Sequence, residues 1–518
     1  MMPEPISFGE LDIEVVAQME EAKVAPDPET PFRIAILGDF SGRSNRQILD
    51  NDLADRKAVL VDRDNIDEVL KRLKVEIILP VMGKGSPPVR ASFSEIEDFH
   101  PDHLFERLEI FGALRDTRQT MKDPESFASM VREFQGKKAS SGQPKKDTAP
   151  LPPPDKGGIK EGPTTGSLLD QVLEETESTA PKSGELRGTS EWDNFLRQIV
   201  QPHIVPDIEP QQAKMLDAVD AATSEMMRMV LHHPDFQALE AAWRTVHFLV
   251  SRVETDENLQ LYLIDISKDE LAADLCKAVD LRSTGTYKLL VEQTVHTFGG
   301  DPWSVLTGNY YFDNGDSDIN LLGRLAKIAW ASGAPFLAGA GEKILGCESL
   351  YKTPNHDDWQ KIEESRIWTA LRGLPEIEYL GLALPRFLLR LPYGPDTDPV
   401  DSFNFDEMPY ASIHNLYLWG NASIACTYLI AEAFSRNEWN LKPGSILDIE
   451  NLPLHLYKEA GEPKTKPCAE VVFTEETAEM ILEKGIMPLL SFKNQDRVRL
   501  ARFQSLADPP ANLAGRWG

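Results

Sequence analysis

Four cysteines in 518 residues is few, and they stand far apart: Cys276, Cys347, Cys426 and Cys468 form no C-x-x-C pair. That spacing argues against a disulfide framework or a zinc ribbon, and the thiols are expected to be buried or inert. No apolar run approaches the roughly 20 residues of a membrane-spanning helix, and the mean hydropathy is −0.33. The opening stretch MMPEPISFGELDIEVV lacks both a basic n-region and a continuous apolar h-region, so no secretory signal is expected. A cytoplasmic chain without membrane insertion follows. Basic residues are outnumbered, 54 Lys and Arg against 83 Asp and Glu, which leaves a net charge of −29. That charge repels a phosphate backbone and no Lys/Arg block offsets it, so nucleic acid is not an expected partner.

Catalytic signatures are missing as well. The loop Gly38-Asp39-Phe40-Ser41-Gly42-Arg43 follows a strand-like run, where a phosphate loop would sit. Neither G-x-x-x-x-G-K-[ST] nor G-x-G-x-x-G is present, so it reads as a tight structural turn. His232-His233-Pro234-Asp235 offers metal-ligating groups. Adjacent helical side chains diverge by about 100°, however, and Pro234 breaks the segment, so a helix junction is expected. Gly299-Gly300-Asp301-Pro302 predicts a turn with Trp303 packed beneath it. Ser304 and Ser332 lie outside any G-x-S-x-G context, with no nearby His and acid. No catalytic, cofactor-binding or metal site is expected.

What is present is an α/β pattern in pieces. A chain of 518 residues predicts two or more folded units. Residues 1–31 read as an arm and linker, in which Phe8, Leu11, Ile13 and Val15 mark a short alternating segment. Such a segment either adds to a neighbouring sheet edge or forms a local edge strand. Residues 32–135 form a small α/β unit: FRIAILGDF, VEIILPVMG and PPVRASF as strands, DNIDEVLKRL as a helix, and a second helix opening at His100-Pro101-Asp102. Residues 136–166 are a linker rich in Lys, Pro, Gly and Ser, with too little apolar surface to offset ordering entropy. Residues 167–190 hold a short amphipathic helix, Leu168, Leu169, Val172 and Leu173, followed by more linker. A helix this short must dock on its own chain or on a partner. Residues 191–518 begin helically and then alternate, with LQLYLIDIS, LLVEQTV, DINLLGRLAKIAWASGA, PFLAGA, EYLGLAL, IACTYLIAEAF and AEVVFT as the main elements.

Several of these stretches resemble the sheath proteins of type VI secretion. LHHPDFQALEAAWRTVHFLVSR (231–252) is similar to the opening block of the large sheath subunit (TssC, or VipB-type). Thr297-Phe298-Gly299-Gly300-Asp301-Pro302-Trp303, Thr307-Gly308-Asn309-Tyr310, Ala334-Pro335-Phe336, GLALPRFLLRLPYGPD (381–396) and Tyr417-Leu418-Trp419-Gly420-Asn421-Ala422 continue the likeness in order. In the first unit, Gly38-Asp39-Phe40-Ser41-Gly42, Asp55-Arg56-Lys57, the run Val61–Asp67 and Asp98-Phe99-His100-Pro101-Asp102 resemble the small subunit (TssB, or VipA-type). Two subunits that normally occur on separate chains therefore look fused.

The resemblance implies a contractile-sheath, phage-tail-sheath-like α/β architecture and a mechanical, non-enzymatic role. Protomers of this kind stack helically around an inner tube (Hcp-type), meet baseplate components, and drive the tube outward by contracting. It implies strand exchange by the arm that carries Phe8, Leu11, Ile13 and Val15. It also implies recognition of the helix Leu168, Leu169, Val172 and Leu173 by an AAA+ unfoldase (ClpV-type). Four departures stand out: the recognition helix is internal, LKPGSILDIENLPLHLY replaces a glycine-rich stretch, RGLPEIE replaces a more polar segment, and the chain stops at AGRWG where relatives continue. A sheath-like accessory protein that does not polymerise is the alternative expectation.

Overall fold

The computed structural model describes residues 6–11, 26–27, 29–50, 52–81, 88–123, 126–127, 208–361, 365–409, 413–459 and 461–517. The first region supplies strands β1 (Phe32–Gly38), β2 (Val59–Val61), β3 (Val75–Leu79) and β4 (Val89–Phe93). The second supplies β5 (Leu259–Asp265), β6 (Val305–Phe312), β7 (Phe336–Ala340), β8 (Leu380–Leu384), β9 (Phe387–Leu388) and β10 (Trp419–Gly420). It continues with β11 (Asp448–Ile449), β12 (His455–Glu459), β13 (Glu462–Lys466), β14 (Ile486–Ser491) and β15 (Val498–Leu500).

Nine of these strands form one mixed sheet in the order β11-β15-β14-β8-β7-β6-β1-β5-β2. β1 is an interior strand, parallel to β5 from Phe32↔Leu259 to Gly38↔Asp265, and parallel to β6 from Ile34↔Val305 to Leu37↔Gly308. The two regions separated by the linker therefore share a single sheet. β1 is nearly continuous in apolar residues because a parallel strand is covered on both faces. Its alternate side chains confirm it: Phe32, Ile34 and Ile36 join one core cluster, and Ala35 and Leu37 join the other. Helices Pro234–Arg252 and Ala422–Asn437 cover the first face through Phe236, Trp243, Ile424 and Phe434. Helices Lys268–Leu275 and Asp316–Ser332 cover the second through Leu271, Ile319 and Leu322.

Some elements differ from their sequence patterns. LLVEQTV is helical, with a π-type turn at Lys288–Glu292. Both edges of β1 and both edges of β5 are already paired, so this run has no strand to join. AEVVFT forms no strand either. Ala469 makes an isolated bridge with Phe387, and Thr474 then caps the helix Glu475–Glu483. The helix opening at Pro101 breaks after Arg107 and resumes at Gly112–Lys122, which sinks Leu108, Ile110 and Phe111 into the core.

The two regions also meet through a helix pair. Helix Gly112–Lys122 packs on Ile208–Leu231, where Arg118 Nε donates to Asp220 Oδ1 at 2.7 Å and Gln212 Nε2 to the Met121 carbonyl at 2.6 Å. Phe127 is buried, and the described chain resumes at Ile208. The linker and the helix carrying Leu168 lie between these points, outside the described residues. Proteolysis at a site inserted within 136–166 is expected to leave both pieces co-eluting in gel filtration. Separation of the pieces in native buffer would contradict the shared sheet.

Candidate functional site

In doubly wound sheets a ligand enters at the carboxyl ends of the strands, where the strand order reverses. That point falls here between β1 and β6, beside the loop Gly38–Gly42. The crevice is sealed by the chain itself. Asp265, ending β5, accepts from the amides of Phe40 (2.8 Å) and Ser41 (3.0 Å) and from Ser41 Oγ (2.7 Å). An anion would need those same amides. Burial pushes the Asp265 carboxyl up, against the hydrogen bonds from Ser41. The Phe40 ring is buried beside Trp243, whose Nε1 donates to the Phe40 carbonyl at 2.7 Å. Gly42 has φ +78°, and a Cβ there would stand 2.4 Å from the Glu76 carbonyl oxygen. Glycine is required for that turn to pass β3.

The rest of the loop is a clamp. Arg43 and Arg56 converge on Glu270 at 2.8 and 3.0 Å. Burial alone would raise the Glu270 pKa, but hydrogen bonds from Arg43 and the Ser267 amide bring it to about 2. The expectation of a structural turn is thereby given its chemistry. Trp303 likewise lies buried below its turn, with the Arg33 guanidinium 4.3 Å from its ring centroid. Ser304 Oγ accepts the Arg33 amide, and Ser332 Oγ donates to the Ala329 carbonyl.

The block 381–396 carries two arginines four residues apart, each committed to distant glutamates. Arg390 Nε donates to Glu240 Oε1 at 2.7 Å, and Nη1 to Glu407 Oε2 at 2.8 Å. Arg244 binds Glu240 Oε1 at 2.7 Å and the Tyr393 hydroxyl at 2.7 Å. Glu407 also accepts the Tyr393 amide at 2.8 Å and lies 3.2 Å from His232 Nε2. Burial would raise Glu407, but the Arg390 charge and the His232 hydrogen bond hold it near 2. His233 serves differently: its Nδ1 accepts the Asp235 amide and caps the helix Pro234–Arg252.

Arg386 pairs with Glu470, which His414 Nε2 approaches at 3.2 Å. Lys466 Nζ is 3.0 Å from His414 Nδ1 and sits over the rings of Tyr351 (4.4 Å), Tyr417 (5.0 Å) and Trp419 (5.6 Å). Burial lowers this lysine to about 8. Neither arginine's role was readable from spacing, because the glutamates lie between 17 and 150 residues away. Glu95, Asp98 and His103 form a separate cluster whose ligand atoms lie within 4.8 Å of one another. Arg107 pairs with both of its carboxylates, which also form a helix capping box.

The arm residues divide. Phe8 is buried and Leu11 half-buried, both on the chain's own second core, and Glu10 bridges Asp280 in parallel. Ile13 and Val15 lie outside the described residues, as do Leu168, Leu169, Val172 and Leu173.

Removing Arg390 would leave buried Glu407 without its arginine and Glu240 with Arg244 alone, a loss of about 3–5 kcal/mol. Glu407 is held near 2 against an ordinary 4.5. The pair's stabilisation is therefore complete above about pH 4.5 and fades as pH falls towards 2. Urea denaturation of Arg390→Ala at neutral pH is expected to show that loss, narrowing in acid. A neutral-pH loss below about 1 kcal/mol would refute the linchpin role.

Each of the two regions is similar to a known protein family. Residues 213–507 match the VipB family (EvpB/VC_A0108, tail sheath N-terminal domain), and residues 12–137 match the type VI secretion system VipA family (VC_A0107 or Hcp2). The type VI secretion system sheath protein TssC1 of Pseudomonas aeruginosa is 35% identical over 323 residues, which is 58% of this chain and 64% of that relative. The chain thus spans under two thirds of the relative's length. The two matched regions meet in the fold where β1 of the first is inserted between β5 and β6 of the second. The chain belongs to the VipB tail-sheath family, with a VipA-family region fused ahead of it in the same polypeptide.

Proposed function

We propose that the chain is a complete protomer of a type VI contractile sheath, a cytoplasmic, non-enzymatic part that polymerises around an inner tube of Hcp type and contracts to propel it. The observation that carries this reading is the shared sheet. A VipA-type strand is an interior strand of a sheet otherwise built mainly by the VipB-type region, so one polypeptide supplies what a heterodimer otherwise would. Work in such a machine comes from rearranged contacts between copies. The sealed crevice at the β1/β6 switch point supports that view, since its amides are spent on Asp265. Baseplate components would meet the end of the polymer. Among the described residues no helix is long and apolar enough to cross a membrane.

Purified protein, alone or with its tube protein, is expected to form regular hollow tubules in negative-stain micrographs. A monomer or small oligomer under every condition would favour the non-polymerising accessory reading instead. The recognition helix has its own test. Its residues lie in sequence between the two family-matched regions, and an unfoldase of ClpV type is the partner proposed for them. Changing Leu169 and Val172 together to Asp is expected to abolish unfoldase binding in a pull-down. Binding that survives the double change would rule this helix out.

A further inference from the structure

The turn before β6 holds one apolar side chain out into solvent. Phe298 is fully exposed, and Val295 just before it is exposed as well. Single apolar residues on a surface are ordinary, but this one stands on a pinned support. The Thr297 hydroxyl donates to the Glu292 carbonyl at 2.8 Å, and the Gly300 amide donates to the Thr297 carbonyl at 2.9 Å. Arg33 Nη1 donates to the Asp301 carbonyl. Gly300 lets the turn close, since a Cβ on it would lie 2.5 Å from the Thr294 carbonyl oxygen. The turn that carries the ring is therefore fixed at the amino edge of the sheet, where β1 and β6 begin.

At the opposite edge a cavity opens. β6, β7 and β8 run parallel, and their carboxyl ends border a space of about 200 Å³ walled by Leu350, Ala383, Leu384 and Pro385. A dry cavity of about 150 Å³ already admits a benzene ring. Tyr311, itself exposed, shares the lining with Glu342, Glu470 and Arg386, the last two paired with each other. The arginine disfavours a second cation, and the two carboxylates disfavour an anion. A neutral ring brings no polar group that burial would leave unpaired, and it meets an aromatic neighbour in Tyr311 and a cation in Arg386. β6 is 8 residues long, which sets the two edges about 26 Å apart. Phe298 therefore cannot reach the cavity of its own chain.

We propose that Phe298 of one copy seats in this cavity of the next, a knob and a hole carried on opposite edges of the same sheet. The inference rests on the sheath-protomer reading above and names one contact that builds the polymer. Two unlike patches that meet head to tail are never used up. Each added copy presents a fresh knob and a fresh cavity, and a rotation that does not close gives an open helical array. A buried aromatic anchor in a fitted pocket is also the kind of contact that dominates the energy of an interface.

Full-length protein with p-benzoylphenylalanine in place of Phe298, mixed with an equal amount made in heavy nitrogen, tests the seat. Irradiated tubules are expected to give light-to-heavy cross-links from this position to the tryptic peptides Ile344–Lys352 or Gly373–Arg386, which carry Leu350, Ala383 and Leu384. Dilute, unassembled protein is expected to give neither. Tubules cross-linked only at other faces, or only to the tube protein, overturn the knob and hole and leave the sheath reading standing. Protein that forms no tubules under any condition overturns both. Phe298→Asp checks the contact without a bulky probe, because a fully exposed side chain can change without disturbing the core. With its circular dichroism spectrum unchanged, this variant is expected to need at least about tenfold more protein to form tubules, and Phe298→Leu to lie between it and the parent. A threshold for Phe298→Asp within about twofold of the parent's sinks the proposal.

Discussion

Everything else in this fold depends on one strand being accepted between two others. β1 donates and accepts along both edges, and its side chains alternate between the two core clusters. Without it, β5 and β6 have no common neighbour and the helices above and below lose their floor. Parallel pairing of this kind is long-range in sequence, since β1 meets partners more than 200 residues away. The helix pair around Arg118 and Asp220 brings the two regions together at a second place, so the union does not rest on the sheet alone.

The buried ion clusters do a different job. Burying charge is expensive, and a shape-matched apolar replacement would often be neutral or better for stability. What Arg390 contributes is a single geometry, in which helix Pro234–Arg252, the segment after β9 and the stretch around Glu407 meet in one register. Arg386 does the same between the end of β8 and Glu470. These buried pairs thus fix the registers in which distant segments of the chain meet.

Much of this was legible in the sequence because local patterns and tertiary demands agree. The runs FRIAILG, LQLYLID and PFLAGA became buried parallel strands, and DINLLGRLAKIAWAS became a covering helix ended by Gly333 in the left-handed region. LLVEQTV and AEVVFT show the limit. Their apolar content fits a strand, but the first continues a helix into a π-type turn and the second makes a single bridge before Thr474 caps the next helix. The destinations of Arg386 and Arg390 were equally out of reach, since an ion pair between residues far apart in sequence leaves no periodic trace. Phe8 belonged to an alternating segment, yet its ring fits a gap in a helix surface that only Gly323 creates. The merging of two subunit-like regions into one sheet could not be read from the linker between them, which looks the same whether it joins independent domains or interleaved ones.

Interleaving also bears on what a cell must avoid when it makes such a part. A lone second half would display β5 and β6 side by side with a strand-wide gap, two bare hydrogen-bonding edges lined by Leu, Ile and Val. Gaps of that kind recruit foreign strands and seed aggregates. When both halves are translated as one message, every gap is made together with its filler in equal number, and no unmatched half waits for a partner.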